Sequence, residues 1–155
     1  MISESKQKLL ELQKGGKYLF HGSPASDIKE LEPRQSYTIP KGETEPVKDG
    51  PPSVSATPYL EVAIFRAVVV KGRSSFSVSA NTIEDAVIKF TANNEAIADA
   101  KNRISYIYVL DRKDFKPRTG NVQAMEWISE EPVKPLNIFE VNFKDISVEI
   151  ELTNN

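Results

Sequence analysis

The sequence has no cysteine and only one histidine. The first absence excludes disulfides and thiolate chemistry. The two together leave too few ligands for a structural zinc site, so no metal is expected. No apolar run is long enough to span a bilayer, and Met1 to Lys14 has no apolar core of signal-peptide length. A soluble, cytoplasmic protein with no membrane partner is the expectation. Neither sign of charge is in excess: 20 basic against 22 acidic residues leave a net charge of −2. Nothing therefore drives the whole chain toward nucleic acid, and only a local basic groove remains open. There is no Gly-rich loop ending in Lys-Ser or Lys-Thr, no G-x-G-x-x-G after a strand and no nucleophile elbow. Asp111 and Asp114 flank Arg112-Lys113 and read as solvating a basic turn rather than binding a metal.

What is present suffices for one globular domain over 1–155. Apolar residues make up 39% and charged residues 27%, a balance that supports a core rather than disorder. Ser3 to Gln13 reads as a short helix carrying Leu9, Leu10 and Leu12, and Gly15-Gly16 closes this N-terminal segment of 1–16. Tyr18 to Gly22 is a strand. Asp27 to Arg34 is a polar turn anchored by Ile28 and Leu31. The 37–52 segment, rich in Pro, Gly, Lys and Glu, has no usable period and reads as a mobile loop. Ser53 to Ala56 is a strand. Thr57 is placed to cap a helix that has Pro58 in its first turn and runs through Leu60, Ala63, Ile64, Ala67 and Val68, with Gly72 at its end.

The second half reads as mostly β, with strands at Ser75–Ala80, Ala86–Thr91, Ile104–Leu110, Val122–Ser129, Leu136–Asn142 and Val148–Leu152. A short helix is expected over Asn94–Asn102 and a polar connection over Asp111–Gly120. An early strand and helix followed by several strands indicates an α+β fold rather than repeated βαβ units.

Two residues stand out chemically. The sole imidazole, His21, ends an apolar strand in Phe20-His21-Gly22-Ser23. Its plain reading is a half-buried ring bonded to a backbone carbonyl. Glu126 lies in the expected strand Val122–Ser129, on a face with Val122, Ala124 and Ile128. If that face is buried, the carboxylate needs a partner or must line a cleft. Its plain reading is an exposed side chain on the outside of a sheet. Glu130 and Glu131 read as solvated charge in the turn beyond it.

Phe20-His21-Gly22-Ser23 resembles the first motif of ADP-ribosyltransferases of the diphtheria-toxin and poly-ADP-ribose polymerase type. Ser53-Val54-Ser55-Ala56-Thr57-Pro58 and the helix after it resemble the family's middle motif. Ala124-Met125-Glu126-Trp127-Ile128-Ser129 looks like the catalytic-glutamate strand, with similarity to DNA-modifying ADP-ribosyltransferase toxins. The resemblance spans Tyr18 to Val141 and lies in the order of the motifs.

The resemblance implies a split, mostly antiparallel sheet with flanking helices that holds NAD, as substrate, in its cleft. It implies that Glu126 stabilises the ribosyl oxocarbenium ion as nicotinamide leaves, and that His21 binds a ribose hydroxyl. Gly22 and Ser23 would meet the nicotinamide end, Gly22 because it has no side chain in the way. Thr57 falls within the middle motif and joins the NAD-binding set. Tyr59 and Phe65 are the aromatic candidates for stacking on nicotinamide, ordinary core being the other reading of Phe65. Arg34 is a candidate for the pyrophosphate, since a guanidinium grips phosphate oxygens in a bidentate manner; its other reading is a solvated loop arginine. The loop Gln35–Gly50 would fold over bound NAD or read the acceptor.

One position departs from the pattern. Polymerase-type members have a tyrosine where this chain has Val54, which leaves chain elongation unsupported. The expected activity is transfer of ADP-ribose from NAD to an acceptor (protein, nucleic acid or small molecule) or to water. The alternatives are an RNA 2′-phosphotransferase-like enzyme, whose members carry further histidine and arginine residues, and a non-catalytic module that binds a nucleotide or partner.

Overall fold

The computed structural model describes residues 2–154. It is a mixed α/β fold with three α-helices and several small sheets, antiparallel but for one strand pair. Helix α1 (Glu4–Lys14) begins at Ser3, whose side chain accepts from the Lys6 N–H, and closes at Gly15. The central sheet has the order β1-β7-β10, from Tyr18–Ser23, Ile104–Asp111 and Asn137–Asn142. β7 lies antiparallel to both neighbours, so it is the strand with no free edge.

Side chains of β1 alternate between two cores. Phe20 joins one cluster, built on helix α2 (Leu60–Val68), while Leu19 joins a second with Leu31, Val54 and Trp127. Seven of the nine residues of α2 are buried. A helix apolar on nearly all sides belongs between layers, and α2 has them. One side packs on β1 and β7. On the other, Phe65 stacks on Phe90 at 4.0 Å, 7° from parallel, with Phe76 edge-on at 6.3 Å. Phe76 and Phe90 come from β5 (Ser74–Ser79) and β6 (Val87–Asn93). Their sheet is completed by β11 (Ile150–Thr153), which pairs with β6 in parallel. The expected short helix forms as α3 (Asn94–Ala100), capped by the Asn93 side chain.

The third sheet has the order β4-β9-β8, from Val54–Ala56, Trp127–Ser129 and Lys116–Pro117. Next to it, Phe20 of the central sheet and Thr57, just after β4, exchange both backbone hydrogen bonds at 2.8 and 2.9 Å.

Four expectations are corrected. Thr57 does not cap the helix. Its backbone is bonded to Phe20 and its Oγ1 accepts from the Tyr59 N–H, so Tyr59 is the cap residue and α2 starts at Leu60. The strand over Val122–Ser129 shrinks to Trp127–Ser129. Its partner β4 ends at Ala56: the next residue, Thr57, bonds to Phe20, and Pro58, which would face Met125, has no N–H to donate. The 37–52 segment is not featureless, since β2 (Tyr37–Thr38) and β3 (Val47–Lys48) pair as a short ribbon. Between Asp111 and Gly120 lie a 3-10 turn, Arg112–Asp114, and the strand β8.

Candidate functional site

His21, third-last in β1, faces the same side as Leu19. Its Nδ1 lies 2.7 Å from the Ser55 carbonyl oxygen. A carbonyl only accepts, so Nδ1 carries the proton in this contact. Burial pulls the imidazole pKa below its ordinary value. The Ser55 bond works the other way, and the positive charges of Arg66 and Arg34 add to the lowering. The ring is therefore neutral at neutral pH, and Nε2 keeps its lone pair as a hydrogen-bond acceptor.

Gly22 points the opposite way. A Cβ there would lie 2.2 Å from the Ala63 carbonyl oxygen and 2.8 Å from the Ala67 Cβ. The absent side chain lets α2 rest on β1, a packing reason for glycine at this position. The Ser23 hydroxyl accepts from the Ala25 N–H at 3.1 Å. A cavity of about 610 Å³ opens on this side of the protein, and His21, Ser23, Arg34 and Ser55 all line it, together with the 27–32 segment. Arg34 is held there by its backbone, which exchanges two 3.0 Å hydrogen bonds with Ser53.

Glu126 sits just before β9, not within a strand, and its expected face does not form. Val122 is exposed while Ala124 and Trp127 are buried. The carboxylate nonetheless has partners. Oε2 accepts from the Ser55 hydroxyl at 2.6 Å, and Oε1 accepts from Arg118 Nη1 at 2.7 Å. Partial burial raises the Glu126 pKa. Against it act the bonds from Ser55 and Arg118 and the charges of Arg118 and Arg66, and the net shift is downward. The carboxylate is ionised at neutral pH.

Ser55 thus joins His21 and Glu126, which lie 34 and 71 residues from it in sequence. Glu126 itself does not line the cavity; its link to it is the hydrogen bond from Ser55, which does.

Three other expected site residues fall elsewhere. Thr57 is buried at the β1–β4 junction. Tyr59, 2% exposed, belongs to the α2 core, and its hydroxyl donates to the Gln123 carbonyl. Phe65, 1% exposed, is enclosed between Phe90 and Phe76. Neither ring has a face open to a ligand, because α2 is covered on both sides. Among the described residues no group of three His, Cys, Asp or Glu is placed to hold a metal ion. No described helix is long and apolar enough to cross a membrane.

Four site residues were not singled out from the sequence: Ser55, Arg66, Arg118 and Asp49. Ser55 had a signal, as a polar residue alternating with Val54 and Ala56 in a strand. Arg118 had none, since nothing local to it announces a partner at Asp49 in a distant loop. The chain matches no protein-family model, no curated protein and no solved structure.

Proposed function

We propose that this domain binds NAD and transfers its ADP-ribose to an acceptor or to water, on an ADP-ribosyltransferase-like arrangement of strands. One observation carries the reading: the carbonyl of Ser55 holds His21 and its hydroxyl holds Glu126. The two residues whose motifs suggested the family, distant in sequence, are thereby tied to a single residue of β4.

Further support comes from the edge of β1. Phe20 directs its N–H and C=O to Thr57. Strand alternation turns the N–H and C=O of Gly22 toward the same edge, and β4 makes no bridge to β1 beyond Phe20 among the described residues. A backbone donor and acceptor side by side match a carboxamide. His21 Nε2 accepts a ribose hydroxyl. Arg34, with no ion pair to a described carboxylate, faces the cavity as a pyrophosphate ligand.

In this reading the bond from C1′ of ribose to nicotinamide breaks, and its electron pair leaves with nicotinamide. The ionised Glu126 stabilises the positive charge that develops on the sugar. It then takes the proton of the attacking acceptor. A second reading, a nucleotide-binding module without turnover, is favoured by one feature: Glu126 is not among the residues that line the cavity.

Incubation with labelled NAD separates the two. The enzyme releases nicotinamide, and Glu126→Gln stops the release. Equal release from both proteins refutes the role given to Glu126. Binding by calorimetry with NAD intact over hours selects the module, and no binding at all removes both readings.

A further inference from the structure

Arg118 precedes Glu126 by eight residues and touches it twice. Its backbone N–H donates to the Glu126 carbonyl at 3.0 Å, and its Nη1 donates to Oε1 at 2.7 Å. Its other terminal nitrogen, Nη2, donates to Asp49 Oδ1 at 2.6 Å. Asp49 stands at the foot of the β2–β3 ribbon. There its own N–H bonds to the Ser36 carbonyl at 2.8 Å, and Gln35 Nε2 reaches the Gly50 carbonyl at 2.8 Å. Ser36 in turn lines the same cavity as His21. One guanidinium therefore spans from the Glu126 carboxylate to the loop whose base forms the cavity wall.

We propose that Arg118 is the positioning residue of Glu126, holding the carboxylate in place and coupling its orientation to docking of the 37–52 ribbon. The catalytic consequence rests on the NAD reading; the structural one does not. With Ser55 on one oxygen and Arg118 on the other, rotation of the carboxylate is arrested. Each oxygen keeps a further lone pair for a substrate hydroxyl.

The groups facing Glu126 come from several elements. Ser55 from β4 is a neutral donor, Arg66 from α2 acts at a distance, and neutral His21 lies behind the Ser55 carbonyl. Asp49 opposes from behind Arg118. Arg118 is the one cation in contact with the carboxylate among the described residues. Both bonds to the ionised carboxylate are charge-assisted; the Ser55 bond is the largest single influence that lowers the Glu126 pKa, and Arg118 adds its own bond and its charge. Asp49 fixes the far end of the guanidinium.

The test compares the full-length wild type, Arg118→Gln, Arg118→Lys and Asp49→Asn. Carbon-detected NMR follows the titration of the Glu126 carboxyl, hydrogen exchange follows the 37–52 amides, and nicotinamide release gives kcat and KM. In Arg118→Gln the Glu126 titration moves to higher pH and the ribbon exchanges faster. Its kcat falls about ten- to a hundredfold with KM little changed, the scale expected of a misplaced catalytic group. Arg118→Lys restores the titration more fully than kcat, because an ammonium supplies charge without the fork. Asp49→Asn speeds exchange of the ribbon while the Glu126 titration stays near wild type.

A folded Arg118→Gln protein whose Glu126 titrates as in wild type overturns the proposal. If Arg118→Gln does not fold, Asp49→Asn decides the coupling, and unchanged ribbon exchange there overturns it. A shifted titration with no NAD turnover in wild type upholds the positioning role and refutes the NAD reading.

Discussion

Gly22→Ala tests whether glycine in the His-Gly-Ser triplet serves packing. The added Cβ falls 2.2 Å from the Ala63 carbonyl oxygen and 2.8 Å from the Ala67 Cβ. Both atoms belong to α2, and one is backbone, so no flexible side chain can move aside. Ordinary carbon–oxygen contact lies near 3.4 Å, which requires α2 and β1 to separate by about 1 Å. Overpacking of a tight core costs about 1–3 kcal/mol and occasionally more. A backbone clash on a helix packed on both sides belongs at the upper end, about 3 kcal/mol. For a chain of this size each kcal/mol lowers Tm by about 2–4 °C, so thermal unfolding should show a loss of roughly 6–12 °C. The measurement is circular dichroism at neutral pH without ligand. A Tm within about 2 °C of wild type refutes the packing argument, because it would mean α2 yields freely.

Other expectations follow from buried contacts. Lys6, 1% exposed, has its ammonium on Glu61, the Asp145 carbonyl and Ser147, and Glu61 also accepts from the Ser147 and Val148 N–H groups. Lys6→Met leaves the Glu61 charge without its cation and should cost about 3–5 kcal/mol in urea unfolding, with part recovered in Lys6→Met/Glu61→Gln; a loss under about 1 kcal/mol would contradict this. Phe65→Ala removes the ring between Phe90 and Phe76 and should cost about 3–5 kcal/mol, read by the same assay. For Glu126 the folded pKa is depressed, so its stabilising effect is present above the unfolded value and is lost as pH falls through the folded one. The Tm difference between wild type and Glu126→Gln should therefore shrink toward acid pH. For His21 the lowered folded pKa means the unfolded chain takes up the proton first, so stability falls as pH drops below the ordinary value of 6.5; His21→Gln should flatten that slope.

Where signals were local, the sequence read well. Ser3, Gly15 and the leucines between them marked α1, and the apolar spacing from Leu60 to Val68 marked α2 to within its first turn. Phe65 was recognisable as possible core, but its sandwich between Phe90 and Phe76 required a sheet distant in sequence. The strand expected through Glu126 failed for a related reason. Alternation of side chains describes what a segment can do in a sheet, while strand length depends on the partner, and β4 supplies three residues.

By itself the sequence determined that there is no thiol chemistry and a single imidazole. It also determined the helices and strands whose periodicity is local, and the two chemically distinctive residues, His21 and Glu126. Tertiary structure alone decided what those residues touch. It placed Ser55 between them, set Arg118 and Asp49 against the carboxylate, and enclosed Tyr59 and Phe65 in the core. The physical reason is range. Helix periodicity and capping act over a few neighbouring residues and are written in short segments. A hydrogen bond between Ser55 and Glu126 depends on how β4 and β9 meet, which depends on the packing of the whole chain.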